Sequence, residues 1–362
     1  MTPSLAVFLI VSIRTTFYKY ALNGLYYSGA YYSLKNRFRG VGALLTLHHI
    51  RPRGPDCSFS PNRILEVTPE FLEATILQVK ELGYEIVSLN EFQRRLVEKD
   101  FQRRFIALTL DDGYADNYHY AFPLFKKHQV PFAIYVCTGL LDGSVDLWWQ
   151  DLEDIVLRER RVEVLINGTR REFTSETTRQ KYVAYETIYW ALRSMPLETQ
   201  LKTFKAIKEH YIANSTKPDS SDTALSWEMI TEMQRSNLLT IGAHTVNHWA
   251  LSKLSYSEVQ IEMARSQDLI EQHTGIKPLH FAYPYGDAHS AAGREFSMAK
   301  ELGFLTAVTT RKGVVFPEHA EHLTALPRVS LNGDYQQARN VKLFLSGLPF
   351  ALFNNFRKLD VN

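Results

Sequence analysis

The sequence predicts an α/β protein built from short parallel strands that alternate with helices. Short apolar segments alternate along the chain with stretches whose apolar residues recur at helical spacing. Helix-starting and helix-ending residues stand between many of these segments. Hydrophobic residues make up 45% and charged residues 22% of the 362 residues, which is typical of a globular chain. An α/β barrel with insertions accommodates this length.

The individual elements follow from the same patterns. Thr68-Pro69-Glu70 predicts the start of a helix, with Thr68 as N-cap, a proline at the first helical position and an acidic residue in the first turn. Gly83 is predicted to end this helix. The other predicted helices are 90–98, 120–128, 226–236, 257–274 and one that ends near Gly303. The predicted strands are 42–49, 84–89, 105–110, 131–136, 239–243, 279–283 and 304–308.

The segment 144–225 interrupts the alternation. It carries a charge cluster, the turn Asn167-Gly168, a helical stretch and a polar tail, which predict a hairpin with helices followed by a flexible loop. We therefore divide the chain into an amphipathic N-terminal extension (1–40), two barrel parts (41–143 and 226–331), this insertion, and a C-terminal helical segment (332–362).

Both ends of the chain carry apolar stretches. The run 3–13 is shorter than the ~20 residues that span a bilayer and lacks the features of a signal peptide. The following tyrosine-rich stretch, with interspersed Lys and Arg, suits a helix at a membrane surface, and a helix packed on the main domain fits it equally. We expect a cytoplasmic or peripherally membrane-associated protein, with the apolar segments as the membrane contact. A net charge of +2 gives no support for a nucleic-acid partner.

Three motifs follow predicted strands. Asp111 and Asp112 come directly after 105–110, His244 and His248 after 239–243, and Tyr283-Pro284-Tyr285 at the end of 279–283. Adjacent carboxylates repel each other, and a metal ion removes that cost. Two histidines at i and i+4 share a face of a helix and suit the same ion. Taken alone, each motif is better explained by ordinary structure than by a functional site. The aspartate pair would be a turn, the histidines an exposed pair on a helix, and the third motif a Pro-Gly loop. Because strand C-termini form one rim of a barrel, together they indicate a metal site there.

The ordered set TLDDGY, HTVNH and FAYPYG resembles the polysaccharide deacetylase family, also called NodB-homology or carbohydrate esterase family 4. The resemblance covers 42–140 and 226–331 and implies a distorted (β/α) barrel with fewer than eight complete repeats. It also implies metal-dependent removal of an acyl group from a sugar, with one divalent ion, commonly Zn²⁺, and an acylated carbohydrate as substrate.

The resemblance assigns roles by position. Asp111 corresponds to the general base, and Asp112, His244 and His248 to the metal ligands, leaving room for water and substrate. The ion would polarise the acyl carbonyl, and the backbone N–H of Tyr285 would hold the oxyanion.

Two family features are not matched. Ala282 stands where the family usually has an arginine that orients the catalytic aspartate, and Arg328 is a candidate replacement. The family's late histidine, a general acid, has no clean counterpart. His319 and His322 lie in a polar stretch that predicts a solvated loop, and His289 follows the third motif closely.

Further residues are candidates for substrate binding. His48 and His49 end the first strand, so one of them faces the barrel. Trp148 and Trp149 open the insertion, and flat aromatic rings stack on sugar faces; anchoring the insertion is the alternative. Tyr283 and Pro284 complete the set.

Several functions fit these residues. The leading one is a metal-dependent deacetylase of an N-acetylated, or O-acetylated, polysaccharide or oligosaccharide, a hydrolase of carbon–nitrogen bonds other than peptide bonds. Alternatives are a deacetylase or deformylase of a lipid-linked sugar at a membrane, a non-sugar C–N hydrolase, and a non-catalytic carbohydrate-binding relative.

Overall fold

The computed structural model describes residues 18–54, 57–145, 147–166, 168–212 and 223–361. These residues form two compact units. The larger takes those within 24–53, 65–145 and 219–362, and the smaller takes 18–23 with those within 54–64 and 146–218. The smaller unit therefore includes 54–64, a stretch outside the predicted insertion.

The strands and helices follow in chain order. The strands are β1 (Gly42–Leu47), β2 (His49–Ile50), β3 (Glu66–Val67), β4 (Glu85–Ile86), β5 (Phe105–Leu110), β6 (Phe132–Val136), β7 (Arg161–Ile166), β8 (Thr169–Thr174), β9 (Leu239–Ala243), β10 (His280–Ala282), β11 (Thr306–Lys312) and β12 (Leu326–Ser330). The α-helices are α1 (Ala30–Phe38), α2 (Pro69–Glu81), α3 (Leu89–Glu98), α4 (Phe122–His128), α5 (Thr138–Leu141), α6 (Trp148–Arg158), α7 (Thr178–Ser194), α8 (Leu197–Ile212), α9 (Trp227–Gln234), α10 (Tyr256–Thr274), α11 (Gly293–Glu301), α12 (Ala338–Leu345) and α13 (Leu348–Phe353).

In the larger unit, seven parallel strands close into a barrel in the order β1, β5, β6, β9, β10, β11 and β12, with β12 pairing back to β1. This confirms the predicted α/β barrel with fewer than eight repeats. Strands β1, β5 and β6 are buried along their whole length, as expected where helices cover a parallel sheet. Parallel strands place their carboxyl ends at one rim, so Asp111 and His244, each the first residue after its strand, meet there.

One predicted strand is much shorter than expected. The apolar run 84–89 gives only Glu85–Ile86, because Ser88 caps a helix that begins at Leu89. The Ser88 hydroxyl accepts a hydrogen bond from the backbone N–H of Glu91. The pattern Ser-x-x-Glu is a known helix start, and it outweighs the strand preference of the apolar run.

The smaller unit contains the predicted hairpin and helices. Strands β7 and β8 pair antiparallel, with Ile166 opposite Thr169. Alternate residues of β7 are buried and pack with side chains of α7 such as Ile188 and Leu192. Asn62 joins the same unit through hydrogen bonds with Trp149, Glu153 and Tyr185, which explains why its stretch belongs there.

The terminal segments are partly described. Residues 18–27 and α1 are helical, and α1 packs against α13 in the larger unit. The apolar run 3–13 and the polar tail 214–222 lie outside the described residues. Among the residues that are described, no helix is both long and apolar enough to cross a membrane.

Candidate metal centre and active site

Asp112, His244 and His248 form a buried cluster suited to a metal ion. Oδ1 of Asp112 lies 3.3 Å from Nε2 of His244 and 3.2 Å from Nε2 of His248. One ligand atom from each residue lies within 4.8 Å of the others. Two imidazoles and one carboxylate leave coordination positions for water and substrate, as in catalytic zinc sites.

The His244 side chain is oriented for metal binding. Its Nδ1 lies 2.7 Å from the carbonyl oxygen of Ala282, a contact that places the ring proton on Nδ1 and leaves the lone pair of Nε2 toward Asp112. A backbone carbonyl commonly holds a metal-ligating histidine in this way. The donor set therefore fits a divalent ion of the zinc class.

The histidine motif is a loop rather than the helical turn that the i, i+4 spacing suggested. Residues 244–248 have no helical hydrogen bonding, and Thr245 and His248 have φ values of 62° and 54°. Asp112 is likewise left-handed, with a φ of 74°. Such conformations cost about 1–3 kcal/mol each and persist where the surroundings enforce them. Here tight turns, not helical periodicity, bring both imidazoles to Asp112.

Glu262 of helix α10 holds this loop in place. Its carboxylate accepts hydrogen bonds from the backbone N–H groups of Val246 and Asn247, at 3.1 and 2.9 Å, and from the Asn247 side-chain amide. The Glu262 side chain is buried, so these bonds are shielded from water. Sequence reasoning missed this residue, because it lies within an ordinary amphipathic helix.

We predict that Glu262→Ala lowers metal affinity about 10- to 100-fold, as is typical when a residue that orients the ligands is lost. Competition with a chromophoric chelator measures the affinity. Glu271→Ala, an exposed change on the same helix, is the control and should leave affinity unchanged. Equal affinities for both variants would show that the loop does not need the Glu262 carboxylate.

Asp111 and Arg328 form a second buried unit at the rim. Nη1 and Nη2 of Arg328 donate to the two carboxylate oxygens of Asp111 at 2.7 and 2.6 Å, and Nε donates to the carbonyl of Thr309 at 2.8 Å. Both side chains are almost fully buried. A bidentate arginine fixes the plane of a carboxylate as well as its charge. Arg328 thus lies where it can orient Asp111, as expected of a replacement for the family arginine that is missing at Ala282.

The surroundings keep both aspartates ionised. Burial alone would raise the pKa of Asp111, but the charge and hydrogen bonds of Arg328 outweigh it and hold that pKa below its ordinary value. Burial also opposes ionisation of Asp112, and the adjacent imidazoles of His244 and His248 outweigh it and hold its pKa well below the ordinary range. The rim therefore carries one carboxylate paired with arginine and one paired with two imidazoles.

A family model described as polysaccharide deacetylase matches residues 98–307 of the chain. This match covers more than half of the 362 residues. The chain belongs to the polysaccharide deacetylase family. Membership supports a hydrolase that removes acetyl groups from polysaccharides. It also implies an acetylated carbohydrate substrate and, because the family is metal-dependent, a role for the Asp/His/His cluster.

Solved structures share the deacetylase fold at low sequence identity. Streptococcus pyogenes deacetylase PplD in complex with acetate has a TM-score of 0.53 at 20% identity, over 80% of this chain and 92% of that one. IcaB from Ammonifex degensii has a TM-score of 0.53 at 18% identity, over 83% and 97%. A de-N-acetylase from Aggregatibacter actinomycetemcomitans gives 0.53 at 14%, over 83% and 99%. No curated protein sequence matches the chain.

His48 and His49 occupy different surroundings at the rim of this deacetylase barrel. His48 is partly exposed, and its Nε2 lies 3.9 Å from Oδ2 of Asp111. His49 is buried; its Nδ1 lies 2.6 Å from Oδ2 of Asp116, and its ring stacks on Tyr114. Asp116 also accepts from the backbone N–H of Ile50. Of the two, only His48 is partly exposed near Asp111.

The third motif places Tyr285 beside the cluster and Tyr283 in the core. The Tyr285 ring lies 5.0 Å from that of His248, and its backbone is left-handed with a φ of 62°. The Tyr283 side chain packs on Phe281 and its hydroxyl donates to the carbonyl of Thr324, so the structure places it in the core instead of at the cluster. Pro284 is buried and precedes the turn that carries Tyr285.

Trp148 and Trp149 begin helix α6 of the smaller unit and pack within it. The Trp148 ring stacks on Tyr189 at 5.0 Å, and Trp149 is buried. These contacts are internal to the smaller unit, so anchoring of the insertion onto the barrel and stacking on a sugar both stay predictions.

Two late histidines, His319 and His289, have different surroundings. His319 is buried in a short 3₁₀ helix, and its Nδ1 accepts from the backbone N–H of Phe316, so the predicted solvated loop is wrong at this residue. His289 is exposed.

Proposed function

We propose that this deacetylase is a metal-dependent hydrolase that removes the acetyl group from an N-acetylated, or O-acetylated, polysaccharide or oligosaccharide. The observation that carries the proposal is the buried Asp111–Arg328 pair beside the Asp112–His244–His248 cluster. An ionised, oriented carboxylate next to a metal-type ligand set is what hydrolysis of an acyl group by water requires.

The side chains divide the reaction between them. Asp112, His244 and His248 would hold the ion, which supplies Lewis acidity to the acyl carbonyl and acidifies water. Asp111 takes the proton from the attacking water, and its protonated form can return that proton to the departing sugar nitrogen. Arg328 keeps Asp111 ionised and fixes its direction. The backbone N–H of Tyr285 stabilises the oxyanion, a role supported by the closeness of Tyr285 to His248.

The Asp111–Arg328 pair weakens the alternative of a non-catalytic carbohydrate binder. That alternative drew on Ala282 in place of the family arginine. An arginine from β12 now pairs with Asp111, and a binding protein has no need for a buried carboxylate held ionised beside two imidazoles.

The adjacent histidines give a paired prediction. His48→Ala is expected to lower kcat/KM about 10²-fold, because a substrate-facing imidazole next to Asp111 is lost, while the free energy of unfolding changes little. His49→Ala is expected to lower the free energy of unfolding by about 1–3 kcal/mol, because Oδ2 of Asp116 loses its imidazole partner. Urea unfolding and initial rates separate the two, and a reversed pattern would contradict the assignment.

Metal content and acetate release together test the proposed function. The purified chain, stripped and reloaded with zinc, is expected to hold about one ion and to release acetate from N-acetylglucosamine oligomers. The variant His244→Ala/His248→Ala should do neither and still fold by circular dichroism. A wild-type chain that binds no ion after reloading would overturn the metal-dependent mechanism, and a loaded chain that releases no acetate from acetylated sugars would overturn the substrate class.

A further inference from the structure

An exposed aromatic turn closes helix α13 in the larger unit. Leu352, Phe353 and Phe356, here called the aromatic turn, are 46%, 46% and 61% exposed. They lie close in sequence and share a flank with α1, since the Phe356 ring lies 5.8 Å from that of Phe38. Large apolar side chains grouped on a surface mark an interaction site more strongly than scattered ones do.

The backbone holds Phe356 in an unfavourable conformation. Asn355 and Phe356 have φ values of 50° and 62°, in the left-handed region. Bulky side chains rarely adopt this region, which costs about 1–3 kcal/mol. The turn is nevertheless held by a hydrogen bond from the Phe356 N–H to the carbonyl of Ala351 and by one from the Asn354 amide to the carbonyl of Lys312. The fold thus keeps an aromatic ring at the surface at a conformational cost.

The surroundings of the aromatic turn are strongly basic. The sequence contains no Asp or Glu within 24–39 or 338–358, and in these segments it carries Lys35, Arg37, Arg39, Arg339, Lys342, Arg357 and Lys358. Lys312 lies over the Phe353 ring at 4.6 Å. Among the described residues, Glu318, which pairs with Lys358, and Asp360, which pairs with Arg311, bring acidic groups to this region. Basic charge therefore remains in clear excess, although the whole chain is near neutral.

Helix α1, which packs against α13, and the residues before it carry exposed amphipathic aromatics. Tyr27 and Tyr32 are exposed, and Tyr27 accepts a hydrogen bond from Arg339 at 2.8 Å. Exposed tyrosines among lysines and arginines are typical of surfaces that lie at the lipid headgroup level. A cavity of about 150 Å³ beside α13, lined by Arg37, Lys312, Phe356 and Arg357 among others, offers space for a phosphate headgroup.

We propose that this face, comprising the aromatic turn and its basic surroundings, binds the surface of an anionic phospholipid bilayer. Apolar rings inserted at headgroup depth gain from leaving water, and each nearby Lys or Arg adds attraction to anionic lipid. A neutral protein partner would need no basic excess, and a soluble anion would need no exposed rings. Both features together select an anionic lipid surface. The proposal stands independently of the deacetylase function.

Co-flotation with vesicles tests the proposal on the full chain without substrate. The wild type is expected to float with vesicles of equimolar phosphatidylcholine and phosphatidylserine and to be released from them by high salt. With vesicles of phosphatidylcholine alone, it should remain in the bottom fraction. Leu352→Ser/Phe353→Ser/Phe356→Ser should lower partitioning about 100-fold. Arg37→Gln/Lys312→Gln/Arg357→Gln should lower it to a similar extent.

Matched controls distinguish binding through this face from nonspecific adsorption of exposed hydrophobic side chains. Ile261→Ser/Ile276→Ser removes side chains that are 64% and 56% exposed on and after α10, and it should bind vesicles like the wild type. Circular dichroism and acetate release from a soluble substrate establish that all variants are folded. A wild type that never floats would overturn the proposal. So would a serine variant that floats as well as the control, since the attachment would then lie elsewhere in the chain.

Discussion

Replacing Asp112 with alanine is expected to remove both the bound metal ion and the deacetylase activity. Asp112 provides the one carboxylate of the cluster, and its Oδ1 lies between the two imidazole Nε2 atoms. Without it, two neutral imidazoles stay in a buried site with no negative charge to balance a divalent ion. The ion supplies several kcal/mol of transition-state stabilisation, so activity should fall at least about 1000-fold.

Metal analysis and acetate release on the same preparation measure this effect. Asp268→Ala, an exposed aspartate on helix α10, is the control and should keep one ion per chain with full activity. The Asp112→Ala variant should remain folded, because the change removes a buried charge together with its desolvation cost. A variant that retains the ion with near-normal affinity would show that Asp112 is not a ligand.

The strand ends of the barrel could be predicted from sequence because their signals are local. A buried apolar run followed directly by Asp111-Asp112, or by His244, marks the carboxyl end of a parallel strand, and the barrel closes those ends into one rim. Arg328 could be identified as a candidate from the sequence for the same reason, since it lies in a strand-like segment late in the chain. Its partner Asp111 lies 217 residues earlier, and only the closure of β12 onto β1 brings them together.

Other features of the site depend on tertiary contacts that no local pattern encodes. The left-handed residues of the His244–His248 loop are held by Glu262 across space, so the i, i+4 spacing suggested a helix that does not form. The solvated loop expected at His319 was wrong because burial is decided by the elements packed on a residue, and Tyr283 is buried for the same reason. The same holds for 54–64, whose place in the smaller unit comes from hydrogen bonds of Asn62 to distant residues.

Replacing Asp111 with asparagine is expected to abolish turnover while leaving the metal site intact. A general base contributes about 10²–10⁴-fold, and the asparagine amide accepts no proton. The same change removes the partner of the buried Arg328, and breaking a buried ion pair costs about 3–5 kcal/mol in the free energy of unfolding. We therefore expect the variant to lose activity and to keep its metal ion. Urea unfolding should show that it is less stable than the wild type. Full activity in Asp111→Asn would show that another group is the base.

The double variant Asp111→Asn/Arg328→Met separates catalysis from stability. Removing both charges leaves no unpaired buried ion, so stability should recover while activity stays absent.

The pH dependence gives a second readout. Because the pKa of Asp111 is held below its ordinary value of 3.8, the pair stabilises the wild type above that pH, and the contribution is lost as pH falls through the lowered pKa. The double variant lacks this acid-labile contribution. Arg328→Met alone raises the pKa of Asp111, so the acid limb of kcat/KM should move to higher pH. An unmoved limb would mean that Arg328 does not tune the base.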